Sequence, residues 1–174
     1  MLPQTIDEKT YKSASAEETQ GLGEVLGHLH QAGDVLVLTG DLGAGKTQLT
    51  KGVARGMGIE DDVTSPTFTI EMVYEGKELP LYHFDLYRLD DADELEDTGL
   101  FDVLGGDGPC LIEWGEQFEG ELGDERLDVT IERLDDEVAE GVEPPRRITF
   151  APHGTRADEL VSELQDACAR TEEN

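Results

Sequence analysis

The sequence predicts an α/β fold of three layers, in which a mostly parallel central sheet carries antiparallel hairpin additions. The first observation behind this prediction is a short apolar run, 35–38, whose composition is typical of a strand buried on both faces. A glycine-rich loop, 40–47, follows at once, and 48–57 then has apolar residues at helical spacing. The third observation is a set of alternating segments further along the chain, such as 126–134, which are typical of half-exposed strands.

The glycine-rich loop reads Gly-Asp-Leu-Gly-Ala-Gly-Lys-Thr and fits the pattern G-x-x-x-x-G-K-[ST], the phosphate-binding loop of nucleotide triphosphatases. Gly40, Gly43 and Gly45 permit backbone conformations that a side chain would exclude, so successive N–H groups can turn inward around an anion. The positive end of the following helix points at the same place. A chance glycine-rich turn is the alternative, but the strand and helix on either side favour a P-loop NTPase-like fold.

The loop also predicts which residues bind a nucleotide. Lys46 is expected to reach the terminal phosphates, and the Thr47 hydroxyl is expected to take one position on Mg²⁺. The other expected nucleotide contacts in this stretch are Asp41, Leu42, Gly43, Ala44, Gly45 and Gln48.

The length predicts a single domain, 1–174, with a carboxyl-terminal tail that frays from about residue 170. No segment approaches the ~20 apolar residues of a membrane span, and no basic, apolar leader opens the chain. We therefore expect a cytoplasmic protein that does not contact a membrane. Cys110 and Cys168 are too few for a disulfide scaffold, and both are expected to be packing residues.

The chain is strongly acidic, with 41 acidic against 13 basic residues and a formal net charge of −28. Such a surface repels nucleic acid, because affinity for nucleic acid rests on neutralising phosphates. Two interpretations of the acidity compete: adaptation to high salt, where screening cancels self-repulsion, and an acidic face for a basic partner. The acids are spread along the chain rather than gathered in one block, which favours the first.

A helix is expected before the loop, because Ser15 and Glu18 form a capping-box pattern. Residues 1–12 are expected to form a short edge strand or an ordered tail. His28 and His30 fall on the helix without a metal-ligand spacing, so we expect both to be solvated. The apolar face of this helix is expected to consist of Leu22, Val25, Leu26 and Leu29.

The segment 64–68, Thr-Ser-Pro-Thr-Phe, places two hydroxyl residues around Pro66. In a P-loop protein this position suits a switch segment near the γ-phosphate, although a turn that closes into a strand fits the spacing equally well. The alternation in 68–74, the turn residues 75–77 and the strand-like 79–86 predict an antiparallel hairpin beside the parallel sheet.

The second strand of this hairpin ends in a carboxylate. Asp85 is expected to point to the same face as His83, since side chains alternate along a strand. A carboxylate at a strand end suits Mg²⁺ binding or the positioning of water. A surface ion pair between Asp85 and Arg88 is the alternative.

The apolar strand 109–114 also ends in an acid, Glu113, which is the shape of the second nucleotide-binding motif. A charged group that closes a buried strand needs a partner, and Mg²⁺ with its waters would provide one. Trp114 is expected either to stack near the nucleotide or to fill the edge of the core.

The rest of the chain completes the predicted fold. Short helices are expected at 90–97 and around 100–104, and 126–134 is expected to be a half-exposed antiparallel strand paired with 146–150. A final helix is expected from about Thr155, with an apolar stripe of Leu160, Val161, Leu164, Ala167 and Cys168.

Four motifs occur in a fixed order: the loop 40–47, Ser-Pro-Thr-Phe at 65–68, His-Phe-Asp-Leu-Tyr-Arg at 83–88 and Ile-Glu-Trp at 112–114. Together they resemble the TsaE (YjeE) family of small P-loop ATPases, over about 15–118 and more loosely beyond. The combination is far more specific than the loop alone.

The resemblance implies a role in making threonylcarbamoyladenosine beside the anticodon of tRNA. It further implies that the chain does not transfer the threonylcarbamoyl group but binds the TsaD–TsaB pair, whose repeated turnover its ATPase cycle supports. Contact with tRNA would then be indirect, through the complex.

The resemblance also assigns roles to individual residues. It maps Lys46 and Thr47 to phosphate and Mg²⁺ binding and Glu113 to the Walker B acid. The remaining residues that it places at the switch, at the metal or near the nucleotide are Thr67, Asp85, Trp114, Ser15 and Thr19.

The expected chemistry is hydrolysis of ATP by in-line attack of water, with Lys46, the loop amides and Mg²⁺ stabilising the developing charge. Either Asp85 or Glu113 would orient the water. Slow turnover is expected for the isolated chain, because no obvious arginine finger lies in the loop region and Arg88 is the nearest candidate for one.

Two other functions share these motifs. A small-molecule P-loop kinase would also need an acceptor pocket and an arginine-rich lid, and this chain has adjacent arginines only at 146–147. A nucleotide-gated assembly module would bind its partners without required hydrolysis. A GTPase fits less well, because the sequence contains no Asn-Lys-x-Asp stretch.

Overall fold

The structure is a computed structural model that describes residues 1–41, 43–64, 66, 69–137 and 141–173. Within these residues eight strands form one sheet: β1 Gln4–Asp7, β2 Thr10–Ser13, β3 Val35–Thr39, β4 Glu71–Glu75, β5 Pro80–Asp85, β6 Cys110–Glu113, β7 Arg126–Arg133 and β8 Arg146–His153. The helices are α1 Ala16–Leu29, α2 Lys46–Gly56, α3 Leu100–Val103 and α4 Thr155–Glu173, with short 3₁₀ helices at Ala92–Thr98, Glu116–Glu121 and Asp135–Glu137.

The strand order is β1-β2-β8-β7-β3-β6-β5-β4. The centre is parallel, since β3 pairs in parallel with β6 and β7, and β6 pairs in parallel with β5. The outer pairs are antiparallel, including the predicted hairpin β4–β5 and an amino-terminal hairpin β1–β2 at one edge. The predicted α/β class and mostly parallel sheet with antiparallel additions are confirmed.

One strand differs from its prediction. We expected 126–134 to be antiparallel, and β7 does pair antiparallel with β8, but its other neighbour is β3, to which it is parallel. It is therefore an interior strand. Its alternation reflects unequal burial of its two faces, because Leu127, Val129 and Ile131 are buried while the side chains between them are only half-buried or exposed.

Apolar clusters cover both faces of the sheet, which gives the three predicted layers. Leu36 and Leu38 of β3 belong to the cluster under α1, α2 and α4, whereas Val35 and Val37 belong to the cluster under α3 and two of the 3₁₀ helices. This arrangement explains why four successive residues of β3 are apolar: consecutive side chains point to opposite faces, and both faces are covered. Cys110 and Cys168 are buried free thiols within these clusters, as expected.

Several local predictions are confirmed. The Ser15 hydroxyl accepts the Glu18 N–H at 3.1 Å, so Ser15 caps the start of α1 as predicted, and the Glu18 carboxylate accepts the N–H of Ala14, the residue before the N-cap. The predicted apolar stripe of α4 faces the core. This helix continues to Glu173, beyond the position where we expected fraying. Among the described residues, no helix is both long and apolar enough to cross a membrane.

Helices α1 and α2 pack backbone against backbone through glycines. A Cβ atom on Gly52 would lie 2.1 Å from the Gln20 carbonyl oxygen, and one on Gly27 would lie 2.2 Å from the Val53 carbonyl oxygen. Gly23 and Gly56 face the opposite helix equally closely. The close contact fixes the amino-terminal end of α1 relative to the loop that precedes α2.

A buried ionic network corrects the prediction for His30. His28 is exposed as expected, but His30 caps the carboxyl end of α1 with its N–H bonded to the Leu26 carbonyl, and its side chain is 1% exposed. Its Nδ1 lies 3.5 Å from Oδ2 of Asp34. Arg156 of α4 contacts the same carboxylate, donating from Nε to Oδ1 at 2.9 Å and from Nη2 to Oδ2 at 3.0 Å. Arg156 also donates to the Leu29 carbonyl at 2.9 Å, so the end of α1 is joined to α4 by a contact distant in sequence.

This network holds Asp34 ionised. Burial alone would raise the pKa of the Asp34 carboxyl, but the contacts with His30 and Arg156 and the N–H of Gln31 outweigh burial and lower that pKa to about 2. A carboxyl whose pKa falls on folding stabilises the folded state above its unfolded pKa, and the contribution disappears as the pH falls toward the folded pKa.

Replacing Gly52 with alanine is expected to destabilise the protein by about 1–3 kcal/mol. Alanine favours a helix by about 1 kcal/mol over glycine, but the methyl group would collide with the Gln20 carbonyl and separate α1 from α2. Urea unfolding measures the change. Gly120→Ala is the control, because a Cβ atom there meets nothing within 4 Å in the described part of the chain. Equal stability of the two variants would contradict close packing at Gly52.

Replacing Asp34 with asparagine is expected to lower the free energy of unfolding by about 2 kcal/mol at neutral pH, from the lowered pKa of this carboxyl. The gap between wild type and variant should persist down to about pH 4 and shrink as the pH falls toward about 2. Urea unfolding across that range measures it, with the exposed Asp166→Asn as the control. A gap that stays constant down to about pH 2 would contradict the role of Asp34 ionisation.

Candidate functional site

The main cavity, of about 630 Å³, opens at the carboxyl ends of the parallel strands β3, β5 and β6. This edge is where open α/β sheets bind ligands, and the volume lies in the range of small-molecule sites. The residues that line the cavity are Ser15, Ala16, Thr19, Gly43, Gly45, Lys46, Thr47, Gln48, Asp85, Tyr87, Glu113, Trp114, Glu143, Pro144 and Arg146.

The glycine-rich loop connects β3 to α2 along one wall of this cavity. Gly43 and Gly45 have φ angles of 81° and 115°, in the left-handed region that favours glycine. Gly45 is the N-cap of α2, and the N–H groups in the first turn of a helix have no acceptor within the helix. These N–H groups and the positive end of α2 make the loop suitable for a phosphate. Leu42 lies outside the described residues, and Asp41 is exposed.

Lys46 is buried against the cavity wall. Its Nζ donates to the Gly40 carbonyl at 2.7 Å and lies 3.7 Å from the centroid of the Trp114 ring. Burial lowers the pKa of Lys46, and the surrounding carboxylates oppose this effect. The contributing carboxylates, in decreasing order, are those of Glu113, Glu116, Asp85 and Asp41.

Asp85 and Glu113 are brought side by side by the register of β5 and β6, in which they are partners. Each is 2% exposed. Asp85 is therefore not at the surface, where the alternative of a surface ion pair with Arg88 would place it, and its Oδ1 accepts the Tyr87 N–H at 2.9 Å.

Glu113 has a protein partner that we did not predict. Nε2 of the fully buried His83 lies 2.7 Å from Oε2 of Glu113. We expected the buried carboxylate to need Mg²⁺ as its partner, but His83 on the neighbouring strand satisfies one of its oxygens. The alternation of side chains along the strand predicted that His83 and Asp85 would share a face. It could not predict that β6 would pair with β5 and so bring Glu113 next to His83.

The residues present fit a magnesium ion. The Thr47 hydroxyl and the carboxylates of Asp85 and Glu113 line the same cavity. In the described ranges there is no group of three or more His, Cys, Asp and Glu side chains that could hold a metal by themselves. Such a donor set suits Mg²⁺, which typically takes one or two carboxylates and completes its shell with water and substrate phosphates.

Trp114 fills the edge of the core, which was one of its two predicted roles, and it also faces the cavity. Its ring packs against the apolar cluster under α3 and also lines the cavity, where the Tyr87 ring lies 4.9 Å away between centroids. Its φ of 61° is unusual for a residue other than glycine. Such conformations persist where the surroundings hold them and often occur at functional sites.

The start of α1 also reaches the cavity, which Ser15 and Thr19 line together with residues of the loop. Thr19 is held by Ser13, whose hydroxyl lies 2.7 Å from its own.

Of the predicted switch segment, Ser65, Thr67 and Phe68 lie outside the described residues. Ile70, two residues after the segment, accepts the Asp85 N–H at 2.9 Å through its carbonyl, so the chain at residue 70 is bonded to the strand that carries Asp85.

Sequence reasoning missed Arg146. Its Nε donates to the Ala44 carbonyl at 2.7 Å and its Nη2 donates to the Gly43 carbonyl at 3.1 Å, so it contacts the loop directly. The adjacent arginines at 146–147 were noticed only as a cluster. The contact could not be predicted because the two residues are about a hundred positions apart in the chain. It forms only because β8 starts near the loop that follows β3.

Comparison with known proteins gives a consistent result. Residues 13–141 match the family described as Threonylcarbamoyl adenosine biosynthesis protein TsaE. The chain is 44% identical over 154 residues to a tRNA threonylcarbamoyladenosine biosynthesis protein TsaE of Bacillus subtilis (strain 168), covering 88% of this chain and 92% of the relative. A TsaE of Streptomyces coelicolor is 44% identical over 138 residues, covering 78% of this chain and 90% of the relative.

The fold is similar as well. A crystal structure of Bacillus subtilis YdiB superposes with a TM-score of 0.73 at 38% identity, covering 91% of this chain and 94% of that one. With the family match over most of the chain, these similarities confirm the resemblance carried by the four motifs. The chain therefore belongs to the TsaE family of threonylcarbamoyl adenosine biosynthesis proteins.

Proposed function

We propose that this chain binds and hydrolyses ATP with Mg²⁺ in the main cavity, as a subunit of the cytoplasmic machinery that forms threonylcarbamoyladenosine in tRNA. The observation that carries the proposal is the convergence of the phosphate loop, Thr47, Asp85 and Glu113 at one end of the parallel strands. Family membership supports the pathway, and the geometry supports the chemistry.

Nucleotide binding would use groups that are already in place. The loop amides and the first turn of α2 would surround the phosphates, and Lys46 would move from the Gly40 carbonyl toward their terminal oxygens. Ser15 and Thr19 would border the nucleotide on the side of α1, and Gln48 and Trp114 would complete the wall. Thr67 stays a candidate switch residue on the strength of the family resemblance.

Thr47, Asp85 and Glu113 would hold Mg²⁺, which when bound neutralises the charge that develops on the phosphates during transfer. His83 fixes one oxygen of Glu113, and the Tyr87 N–H fixes one oxygen of Asp85, so both carboxylates are oriented before substrate arrives. Either can hold and orient the attacking water. Lys46 would stabilise the developing negative charge.

The proposed partners are homologues of TsaD and TsaB, with tRNA reached only through them. The net charge of −28 supports indirect contact, because an acidic surface repels the phosphates of tRNA. Slow hydrolysis by the free chain, accelerated on assembly, follows if a partner completes the site.

Replacing Lys46 with alanine is expected to weaken ATP binding and to slow hydrolysis by about a hundredfold, since a donor aimed at the developing charge is lost. Trp114 is the single tryptophan, so its fluorescence reports nucleotide binding, and phosphate release reports hydrolysis. Lys51→Ala, which removes an exposed lysine from the same helix, is the control. Wild-type binding and hydrolysis by Lys46→Ala would refute the assignment of the loop. A phosphorylated small acceptor formed in place of free phosphate would instead indicate a kinase.

Immobilised chain is expected to capture TsaD and TsaB homologues from the same source more strongly with ATP than without it. Assembly is expected to raise ATP hydrolysis by about tenfold or more. Pull-downs at low and high salt, followed by phosphate-release assays, measure both effects, and Glu113→Ala separates binding from hydrolysis. If the assembly modifies tRNA repeatedly at the same rate with the Glu113→Ala variant as with wild type, the chain would be an assembly module that does not need to hydrolyse ATP. Failure to associate under every condition would contradict the proposed partners.

A further inference from the structure

The guanidinium of Arg146 connects the start of β8 to the phosphate loop. Besides its bonds to the Gly43 and Ala44 carbonyls, it donates to the Glu143 carboxylate through Nη2 at 2.6 Å and to the Pro144 carbonyl through Nη1. Its side chain is 12% exposed. One nearly buried cation is thus shared between two segments that are about a hundred residues apart in the chain.

These bonds fix the direction of two peptide groups. In a trans peptide the carbonyl and the following N–H point in opposite directions. When the Ala44 carbonyl points at Arg146, the N–H of Gly45 must therefore point away from the guanidinium. Gly45 itself, at φ 115°, has no side chain to restrict its rotation, so an external contact is needed to hold this peptide in one orientation.

We propose that Arg146 is a positioning residue, which holds the peptide between Ala44 and Gly45 so that the Gly45 N–H faces the bound phosphate. This inference rests on the proposed nucleotide-binding function and adds a residue from outside the known motifs. Arg146 acts through the loop rather than on the nucleotide, because Nε, Nη1 and Nη2 all donate to protein oxygens.

Arginine is suited to this role in a way that lysine is not. Its planar fork presents donors in fixed directions, so two successive carbonyls can be held at once, whereas an ammonium group is a single flexible point charge. Hydrogen bonds from a charged donor are about twice as strong as neutral ones. The fork is itself oriented by Glu143 and by the pairing of Arg146 with Arg133 and Ser13 on the neighbouring strands.

The test compares Arg146→Ala, Arg146→Lys and the control Arg147→Ala, which removes the same charge from the exposed next residue. Dissociation constants for ADP and ATP are measured by Trp114 fluorescence. Arg146→Ala is expected to weaken both nucleotides by the same factor, about tenfold to a hundredfold, because the Gly45 N–H serves both. Arg146→Lys should recover part of the loss, and Arg147→Ala should change neither constant by more than about twofold.

A second measurement does not depend on nucleotide. NMR of the nucleotide-free protein is expected to show a shifted Gly45 amide resonance and faster hydrogen exchange at Gly45 in Arg146→Ala and, to a smaller degree, in Arg146→Lys. An unchanged Gly45 amide in both variants would overturn the inference. So would a loss of affinity confined to ATP, which would mean that Arg146 contacts the γ-phosphate.

These readouts separate the two proposals. If wild-type protein binds neither ADP nor ATP, the proposed function fails, while the amide measurement still decides whether Arg146 orders the loop. If Arg146→Ala does not fold, Arg146→Lys carries the test, because it retains the charge and loses only the fork.

Discussion

Parallel pairing of three neighbouring strands is the constraint on which the candidate site depends. Leu38 near the end of β3 is in register with Glu113 at the end of β6, and Glu113 is in register with Asp85 at the end of β5. Because the strands run in the same direction, the loop after β3 and both carboxylates reach one edge of the sheet. A change in the direction or register of β6 would move Glu113 away from the loop. The glycine contact between α1 and α2 adds Ser15 and Thr19 to the same edge.

The charged groups of the site are paired within the protein before any ligand arrives. Lys46 has the Gly40 carbonyl and the Trp114 ring, Glu113 has His83, and Arg146 has two loop carbonyls. A buried charge without a partner destabilises a protein strongly, so these contacts allow the charges to exist in the free protein. They also orient the carboxylates and the loop peptides, so the proposed binding of a nucleotide would not have to order these groups anew. Lys46 alone must exchange partners to reach a phosphate.

The features predicted correctly from the sequence are those encoded by neighbouring residues. The loop, β3 and the capped start of α1 each have a pattern confined to a short stretch, and local physics suffices to interpret it. Glu113 was identified because it ends an apolar strand. Burial of Asp85 could not be decided, since the same spacing suits a surface pair with Arg88.

The features that were missed arise from contacts between distant segments. His83 meets Glu113 only because β5 lies beside β6, and His30 shares the Asp34 carboxylate with Arg156 of the distant α4. Arg146 contacts the loop because β8 starts at the same edge of the sheet. The sequence around each of these residues does not distinguish it from a residue that is exposed to solvent. Strand order had to be known before their partners could be named.

The placement of the basic residues bears on how a chain of net charge −28 can serve tRNA modification. Arg146 is committed to the loop, Arg156 to Asp34, Arg126 to Asp128, and Lys46 to the cavity. These cations are already used for internal contacts, so they offer little to an external phosphate backbone. A nucleic acid that approaches the surface meets mainly carboxylates, and the resulting repulsion opposes binding. Under the proposed function, this placement favours a division of labour in which this chain would supply the nucleotide site and its partners would hold the tRNA.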